Sequence, residues 1–528
     1  MSLNLPGLLG NIEQQFGSRP AIRPWAEGDK ALTWKELIGQ VSIFAGAFNR
    51  LGLQQFDRYA ILGKNSATFA CLLYAGYWTG CVPVPLNYRL SKFEIKQLLE
   101  DFSPKVIFIS EDFLHLVDTE TANGLNAKIV FFDPLLQGST TLNCTWLQDL
   151  LALASETPMN HPKEDDVAII LYTGGTTGRG KGVCLSHKNI VMNALQISNS
   201  MSPTKDDIYL HVSPMFHSTD LKATVVSMFG GSHVYVPEFS TEKIIECIER
   251  ENITILSLVP AVLIRFLKEA DFDKHPLKSL RLISYGTSPM DTQWLRFCQE
   301  KLSHVGLHQC YGLTETSPYL SILDDETHRY ALEHRPELLR SAGRILPSTQ
   351  VRFVNEERET LAPGSIGEIV VKGPQVSLGY LNRPEESQSA FDEGWFFTGD
   401  IGKLDQDGYL HILERQKDMV KTAGENVYTQ EVENVLLQHP WVSEVAVIGV
   451  KDAQFGEALL ALVVLKAKPE IDLDPSQYTE EFIAFCRNHL GGYKIPRNYQ
   501  FLTSLPRTAM GKINKVHLRT EFNRSINP

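Results

Sequence analysis

The feature that most constrains the fold is the alternation of helical and extended patterns over residues 32–109. Leu32–Leu51 reads as an amphipathic helix, opened by Thr33 with Glu36 three residues on, the reciprocal capping pattern. Tyr59–Leu62 is a short apolar run, Ser66–Thr79 reads as a helix, and Val82–Val84 as a strand. Phe93–Asp101 gives another helix, followed by the strand Val106–Ile109. Strands separated by helices pair in parallel through crossovers, so an α/β architecture is expected. The same rhythm returns in helix Thr241–Asn252, strand Thr254–Leu258, helix Pro260–Glu269 and strand Leu280–Tyr285. From about Gly343 short β-rich runs such as Val351–Val354 and Gly367–Lys372 lie between Pro/Gly turns, which predicts a β-subdomain. The last stretch reads as α+β: helix Thr429–Leu437, strands Val442–Val450 and Ala458–Leu465, and helix Thr479–His489. With 528 residues, more than one hydrophobic core is required.

Bulk properties narrow the partners. Fifty basic against 62 acidic residues give a net charge of −12, which disfavours nucleic acid or an anionic membrane as the main partner. None of the eight cysteines forms a Cys-x-x-Cys pair or a Cys/His cluster of zinc spacing, so they read as small buried hydrophobes. No apolar run reaches the roughly 18 residues of a membrane span, and Met1–Gly10 lacks the form of a signal peptide. Ser-Ile-Asn-Pro at the C-terminus is no targeting address. The expected location is cytoplasmic.

Chemistry enters at Leu171–Val183, where five glycines, three threonines and a lysine follow an apolar strand. Glycines let backbone N–H groups turn toward an anion, threonine hydroxyls add donors, and Lys181 adds charge. Composition alone makes this a phosphate loop. Gly175-x-x-x-x-Gly180-Lys181 almost meets the Walker A pattern, but Gly182 stands where a Ser or Thr has to bind Mg²⁺, so that reading fails.

The segment resembles the signature loop of the adenylate-forming superfamily, which contains acyl-CoA synthetases, peptide-synthetase adenylation domains and beetle luciferases. The usual form is Y-T-S-G-T-T-G-x-P-K-G; here Gly174 replaces the serine and Gly180 the proline. Six further segments follow in the family's order. They are Pro214-Met-Phe-His217, Tyr285-Gly-Thr-Ser-Pro289, Tyr311-Gly-Leu-Thr-Glu315, Trp395-Phe-Phe-Thr-Gly-Asp400, Glu414-Arg-Gln-Lys-Asp418 with Lys421 and Gly424-Glu-Asn426, and Pro506-Arg-Thr-Ala-Met-Gly-Lys512. Gly343-Arg344, Gly367-Glu-Ile369, Gly379-Tyr380 and Arg383-Pro-Glu385 match more weakly. Alone, Lys512 reads as a surface lysine, Tyr311 as a core aromatic, Asp400 as a turn residue and His217 as a buried histidine. The shared order reverses those readings.

The resemblance implies a fold and a set of roles. The chain would have a large N-terminal domain of two α/β sheets plus a β-subdomain (1–414) and a small mobile α+β C-terminal domain (415–528), with a hinge near 416–417. The reaction would activate a carboxylic acid with ATP to acyl-AMP, release pyrophosphate, and transfer the acyl group to CoA. Two anions meet in that first step, so cationic donors and Mg²⁺ are needed to neutralise the charge that builds. Thr173, Thr176, Thr177, Gly178 and Lys181 would hold the phosphates, with Glu315 and Thr176 at the Mg²⁺. Thr314 would contact the α-phosphate. Gly286, Thr287, Ser288, Tyr311 and Gly312 would form the adenine pocket, and Asp400 with Arg415 would take the ribose. Lys512 would bridge substrate carboxylate and α-phosphate, with His217 as a further catalytic position. After rotation at Lys417, Lys421, Gly424 and Glu425 would border the thiol tunnel. Thr429 stands where many relatives carry proline.

In relatives the acyl pocket is built from segments equivalent to His217–Phe229, Leu258–Phe266 and Tyr285–Ser288. Here these are rich in Leu, Val, Met and Phe, which favours a fatty or aryl acid. Asp220 is out of register for the aspartate that holds an amino group in peptide-synthetase domains. The alternatives are an acyl-AMP ligase loading a carrier protein, luciferase-type oxygenation, and a non-catalytic binding module. The acid's identity and the oligomeric state are not legible in the sequence.

Overall fold

The computed structural model describes residues 3–26, 28–117, 119–132, 145–173, 180–287, 290–415, 418–422, 425–452, 456–466, 475–508 and 512–525. It divides into two compact units. The first comprises 1–351 and 371–396, the second 352–370 and 397–528.

Two sheets organise the first unit. One runs Val82–Pro85, Arg58–Leu62, Val106–Ile109, Lys128–Phe131, Thr145–Trp146, every neighbour parallel. Its strands Val82–Pro85, Arg58–Leu62 and Val106–Ile109 are buried almost along their whole length, as parallel strands covered on both faces have to be. The other has nine strands in the order Arg344–Ile345, Ser321–Leu323, Gly306–Tyr311, Leu282–Gly286, Ile255–Leu258, Ile208–His211, Ser232–Tyr235, Pro20–Ile22, Leu32–Thr33. Its centre is parallel and its edges are antiparallel. The expected helices between them form: Trp34–Leu51 carries the Thr33/Glu36 capping box, and Ala67–Thr79, Lys92–Phe102, Thr241–Glu251 and Pro260–Glu269 lie where the periodicity placed them.

Two of the helices that the periodicity did not predict bear on the site's setting. Leu5–Phe16 is capped by Asn4, whose Oδ1 accepts the Gly7 N–H at 2.8 Å, and buries Leu5, Leu9 and Ile12. His187–Met201 escapes a periodicity search because its buried face is partly polar. Asn189 donates to the carbonyls of Pro374 and Val376 at 2.8 Å, Asn193 to that of Tyr319 at 2.8 Å, and Gln196 to that of Pro347 at 2.7 Å. Those amides satisfy irregular backbone that would otherwise be buried without partners.

In the second unit, Trp395–Leu404 pairs antiparallel with Leu410–Arg415 from residue 400 onward. Val442–Asp452 and Gly456–Leu465 form a long antiparallel pair, joined by Val420–Thr422 and Asn498–Phe501 on the latter strand. Helices Thr429–Leu436, Pro475–Arg487 and Lys515–Ser525 complete it, around a core that includes Val427, Val432, Val447 and Phe482. A buried polar knot secures the first of these helices. Thr429 Oγ1 donates to Glu414 Oε2, which also accepts the Gln430 N–H at 2.8 Å and so serves the helix N-terminus. Lys515 pairs with Glu433 at 2.8 Å and donates to Thr429 Oγ1 at 2.7 Å. Among the described residues all seven cysteines are free and mostly buried, and no helix is long and apolar enough to cross a membrane. Cys144 lies outside them.

Candidate active site

The strands that flank the expected phosphate loop pair with each other. Val167–Thr173 pairs antiparallel with Lys181–Ser186, and the register Thr173↔Lys181 closes the ladder at the loop's base. Thr173 Oγ1 reaches the Lys181 carbonyl at 3.4 Å. Gly182 lies inside the return strand, where a Cβ would meet Ile170 Cγ2 at 3.0 Å and Tyr172 Cζ at 3.1 Å. The position that excludes the Walker reading is therefore packed and has no room for a metal-binding hydroxyl. Thr176, Thr177 and Gly178 lie outside the described residues.

Residues 378–381 run beside the return strand: Leu378 N–H donates to the Cys184 carbonyl at 3.0 Å and Leu381 N–H to that of Gly182 at 2.8 Å. This brings Tyr380 to Lys181, whose Nζ lies 4.9 Å from the ring centroid. The same tyrosine's Oη donates to Glu315 Oε1 at 2.8 Å. One side chain thus joins the expected phosphate lysine to the expected metal carboxylate. The sequence reading missed this role, although it noted Gly379-Tyr380 as a weak motif. Glu315 is 8% exposed, in the short 3₁₀ turn Thr314–Thr316 that follows the strand Gly306–Tyr311. Mg²⁺ suits a site that offers one or two carboxylates and leaves its remaining positions to phosphate and water. The lone buried carboxylate of Glu315 fits that demand.

Adjacent parallel strands end together at the adenine candidates, the usual place for a ligand in a parallel α/β sheet. Gly286 closes Leu282–Gly286 opposite Cys310, and Tyr311 closes Gly306–Tyr311. A Cβ at Gly286 would lie 2.3 Å from the Cys310 carbonyl oxygen, so this close approach requires glycine. Thr287 follows at φ 73°, a left-handed conformation costly for a β-branched residue and concentrated at functional sites. Ser288 lies outside the described residues.

His217 precedes the 3₁₀ turn Ser218–Lys222, and Ser218 Oγ lies 3.2 Å from Thr314 Oγ1. Asn65, from the first sheet's side, holds the approach. Its Nδ2 donates to the Ser213 carbonyl at 2.9 Å and its Oδ1 accepts the Met215 N–H at 2.8 Å. The structure thus groups His217, Thr314, Glu315, Tyr311, Gly312, Gly286, Thr287, Thr173 and Lys181 in the first unit.

The remaining candidates belong to the second unit. Asp400 and Arg415 face each other across the hairpin, and Arg415 Nε meets Asp400 Oδ1 at 2.6 Å. Asp400 is 3% exposed, and its N–H is held by Thr398 Oγ1 at 3.0 Å. Lys421 and Glu425 lie on the paired strands Val420–Thr422 and Glu425–Val427. The Lys512 carbonyl accepts the Thr508 N–H at 2.7 Å, and Lys512 is exposed. Gly424 and Lys417 lie outside the described residues.

The chain is similar to known proteins over most of its length. The AMP-binding enzyme family matches residues 11–381, and the AMP-binding enzyme C-terminal domain matches 431–512. The chain is 33% identical to feruloyl-CoA synthase of an Amycolatopsis species over 501 residues, 94% of this chain and 95% of that one. It is 31% identical to the long-chain-fatty-acid–CoA ligase FadD13 of Mycobacterium tuberculosis over 525 residues, 98% of each. Its fold superimposes on ATP-bound MatB from Rhodopseudomonas palustris with a TM-score of 0.87 at 31% identity, over 99% of both chains. The chain belongs to the AMP-binding enzyme family, as an AMP-forming acid–CoA ligase of the adenylate-forming superfamily.

Proposed function

We propose that this ligase acts on a fatty or aryl acid, with the residues named above in the following roles. The observation that carries the reading is the contact series Lys181–Tyr380–Glu315, which couples a phosphate-binding cation to a buried metal carboxylate. Lys181 and the loop 173–178 hold the β- and γ-phosphates that leave as pyrophosphate. Mg²⁺, when bound at Glu315, neutralises charge on the phosphate oxygens. Thr314 contacts the α-phosphate, Gly286, Thr287, Ser288, Tyr311 and Gly312 receive adenine, and Asp400 with Arg415 receives the ribose. Lys512 clamps the acid's carboxylate against the α-phosphate while the adenylate forms. The domain 415–528 then turns about residues 416–417, withdraws Lys512 and presents residues 421–426 to the thiol. The aryl and fatty substrates named for the two relatives support the choice of acid. CoA is the acceptor, and a carrier-protein thiol is the alternative acceptor to compare.

Glu315→Gln tests the metal assignment. It removes the charge and keeps the shape and the hydrogen bond from Tyr380. Acid-dependent pyrophosphate exchange should fall by about a hundredfold or more, with half-saturation moved to higher Mg²⁺. Exchange with the parent's Mg²⁺ dependence would remove Glu315 from the role.

A further inference from the structure

Lys222 is 2% exposed and ends the 3₁₀ turn that begins at Ser218, the neighbour of Thr314. A buried ammonium normally has a carboxylate partner, because an unpaired charge away from water is costly. Among the described residues, none pairs with Lys222. Asp220, the nearest acid in sequence, is turned to His211 Nδ1 at 2.8 Å.

Among the described residues, those that meet the ammonium are neutral. Nζ donates to Ser284 Oγ, which lies 3.1 Å from Ser257 Oγ, and stands 5.6 Å from the Tyr319 ring centroid. Two further buried polar atoms lack good partners. His308 Nδ1 has none, and Tyr209 Oη lies beside Ser257 without a well-formed hydrogen bond. Burial pushes the Lys222 amine below the usual lysine range. Burial, with Lys222 nearby, holds His308 at about 3 and therefore neutral. Polar groups thus converge from four strands and one helical turn, with no anion among the described ones. Buried charges are ordinarily paired, so what the set lacks is an anionic partner for Lys222.

We propose that Lys222 receives a second carboxylate carried by the acid substrate, so that the enzyme's acid is a dicarboxylic acid whose distal carboxylate ends at Lys222, Ser284 and Ser257. The inference rests on the ligase reading above. Ser284 lies two residues before Gly286 on the same strand, so the distal group would sit beneath the adenylate site. Four residues of 3₁₀ turn, at about 2 Å rise each, separate Ser218 from Lys222 by about 8 Å. The rest of the acid remains apolar, in keeping with a fatty or aryl body.

The test is acid-dependent pyrophosphate exchange with matched pairs: straight-chain mono- and dicarboxylic acids of equal length, and aryl acids with and without a second carboxyl. In the parent, kcat/KM for the diacid should exceed that for its monoacid partner by about ten- to a hundredfold, the usual worth of a charged hydrogen bond. Lys222→Met, similar in length and uncharged, should reverse the preference while ATP still raises its unfolding temperature. A parent that prefers the monoacid in every pair, or an unchanged ratio in Lys222→Met, overturns the proposal. If Lys222→Met does not fold, the parent's ratio decides alone. Exchange with monoacids only would leave the ligase reading standing and remove this one; no exchange with any acid would remove both.

Discussion

Gly286→Ala is the perturbation whose cost can be read most directly from the geometry. A Cβ there would stand 2.3 Å from the Cys310 carbonyl oxygen, whereas ordinary contacts begin near 3.4 Å. The overlap is about 1 Å, and the obstacle is backbone of the neighbouring parallel strand, in register with Gly286 itself. No side chain can rotate away, so the strands have to part where the chain enters the left-handed turn at Thr287. Overpacking of this kind costs about 1–3 kcal/mol. Because the strain falls on the turn proposed to receive adenine, ATP binding should weaken with stability, by about tenfold. Gly39→Ala is the control: Gly39 lies within the helix Trp34–Leu51 with nothing within 4 Å of its Cβ position. It should stabilise by about 0.5–1 kcal/mol through helix propensity. Thermal unfolding, and calorimetric titration with ATP and Mg²⁺, read both effects. Gly286→Ala with the parent's melting temperature and ATP affinity would refute the close approach of these strands.

Three further outcomes concern ionisable groups. His187 and His328 are held at about 4 and His308 at about 3 by burial, against an ordinary 6.5. The unfolded chain therefore binds more protons below pH 6.5, and the stability these groups contribute is full above 6.5 and lost as pH falls toward 4 and 3. At about 1.4 kcal/mol per pH unit, His187 alone is worth about 3 kcal/mol between 6.5 and 4; a urea midpoint flat over that range would contradict it. Lys515→Met strands the buried Glu433 carboxylate and should destabilise by about 3–5 kcal/mol, with Glu433→Gln added recovering part because it still accepts the Val447 N–H. Equal melting temperatures for parent and Lys515→Met would show that the pair carries no stability. Lys512→Ala should abolish pyrophosphate exchange yet still convert supplied acyl-AMP to thioester; full exchange in the variant would remove Lys512 from adenylation.

Much of the fold was legible because its helices and strands obey simple periods. The apolar runs at 58–62, 106–109, 255–258 and 282–286 are strands flanked by amphipathic helices, and the capping box at Thr33 and Glu36 forms as its residues predict. Helix His187–Met201 was not legible, because Asn189, Asn193 and Gln196 are buried for hydrogen bonding and break the apolar stripe. Motif residues were legible by order, since Lys181, Glu315, Asp400 and Lys512 look unremarkable one at a time. The links between them were not. Tyr380 meets Glu315 from 65 positions away, and only the pairing of residues 378–381 along the return strand brings it there. Lys222 is one polar residue within the largely apolar segment 217–229, and its burial opposite Ser284 depends on a partner 62 residues distant. Periodicity reports which face of an element is covered; it does not report what covers it.

The central claim is tested most directly by acid-dependent exchange of pyrophosphate into ATP across a panel of carboxylic acids, repeated with CoA present. The account predicts exchange that requires both Mg²⁺ and an acid, and, on addition of CoA, an acyl-CoA product formed with AMP. Exchange with no acid dependence would contradict the adenylate. Acyl-AMP that forms readily but passes its acyl group to a carrier-protein thiol and never to CoA would contradict the ligase.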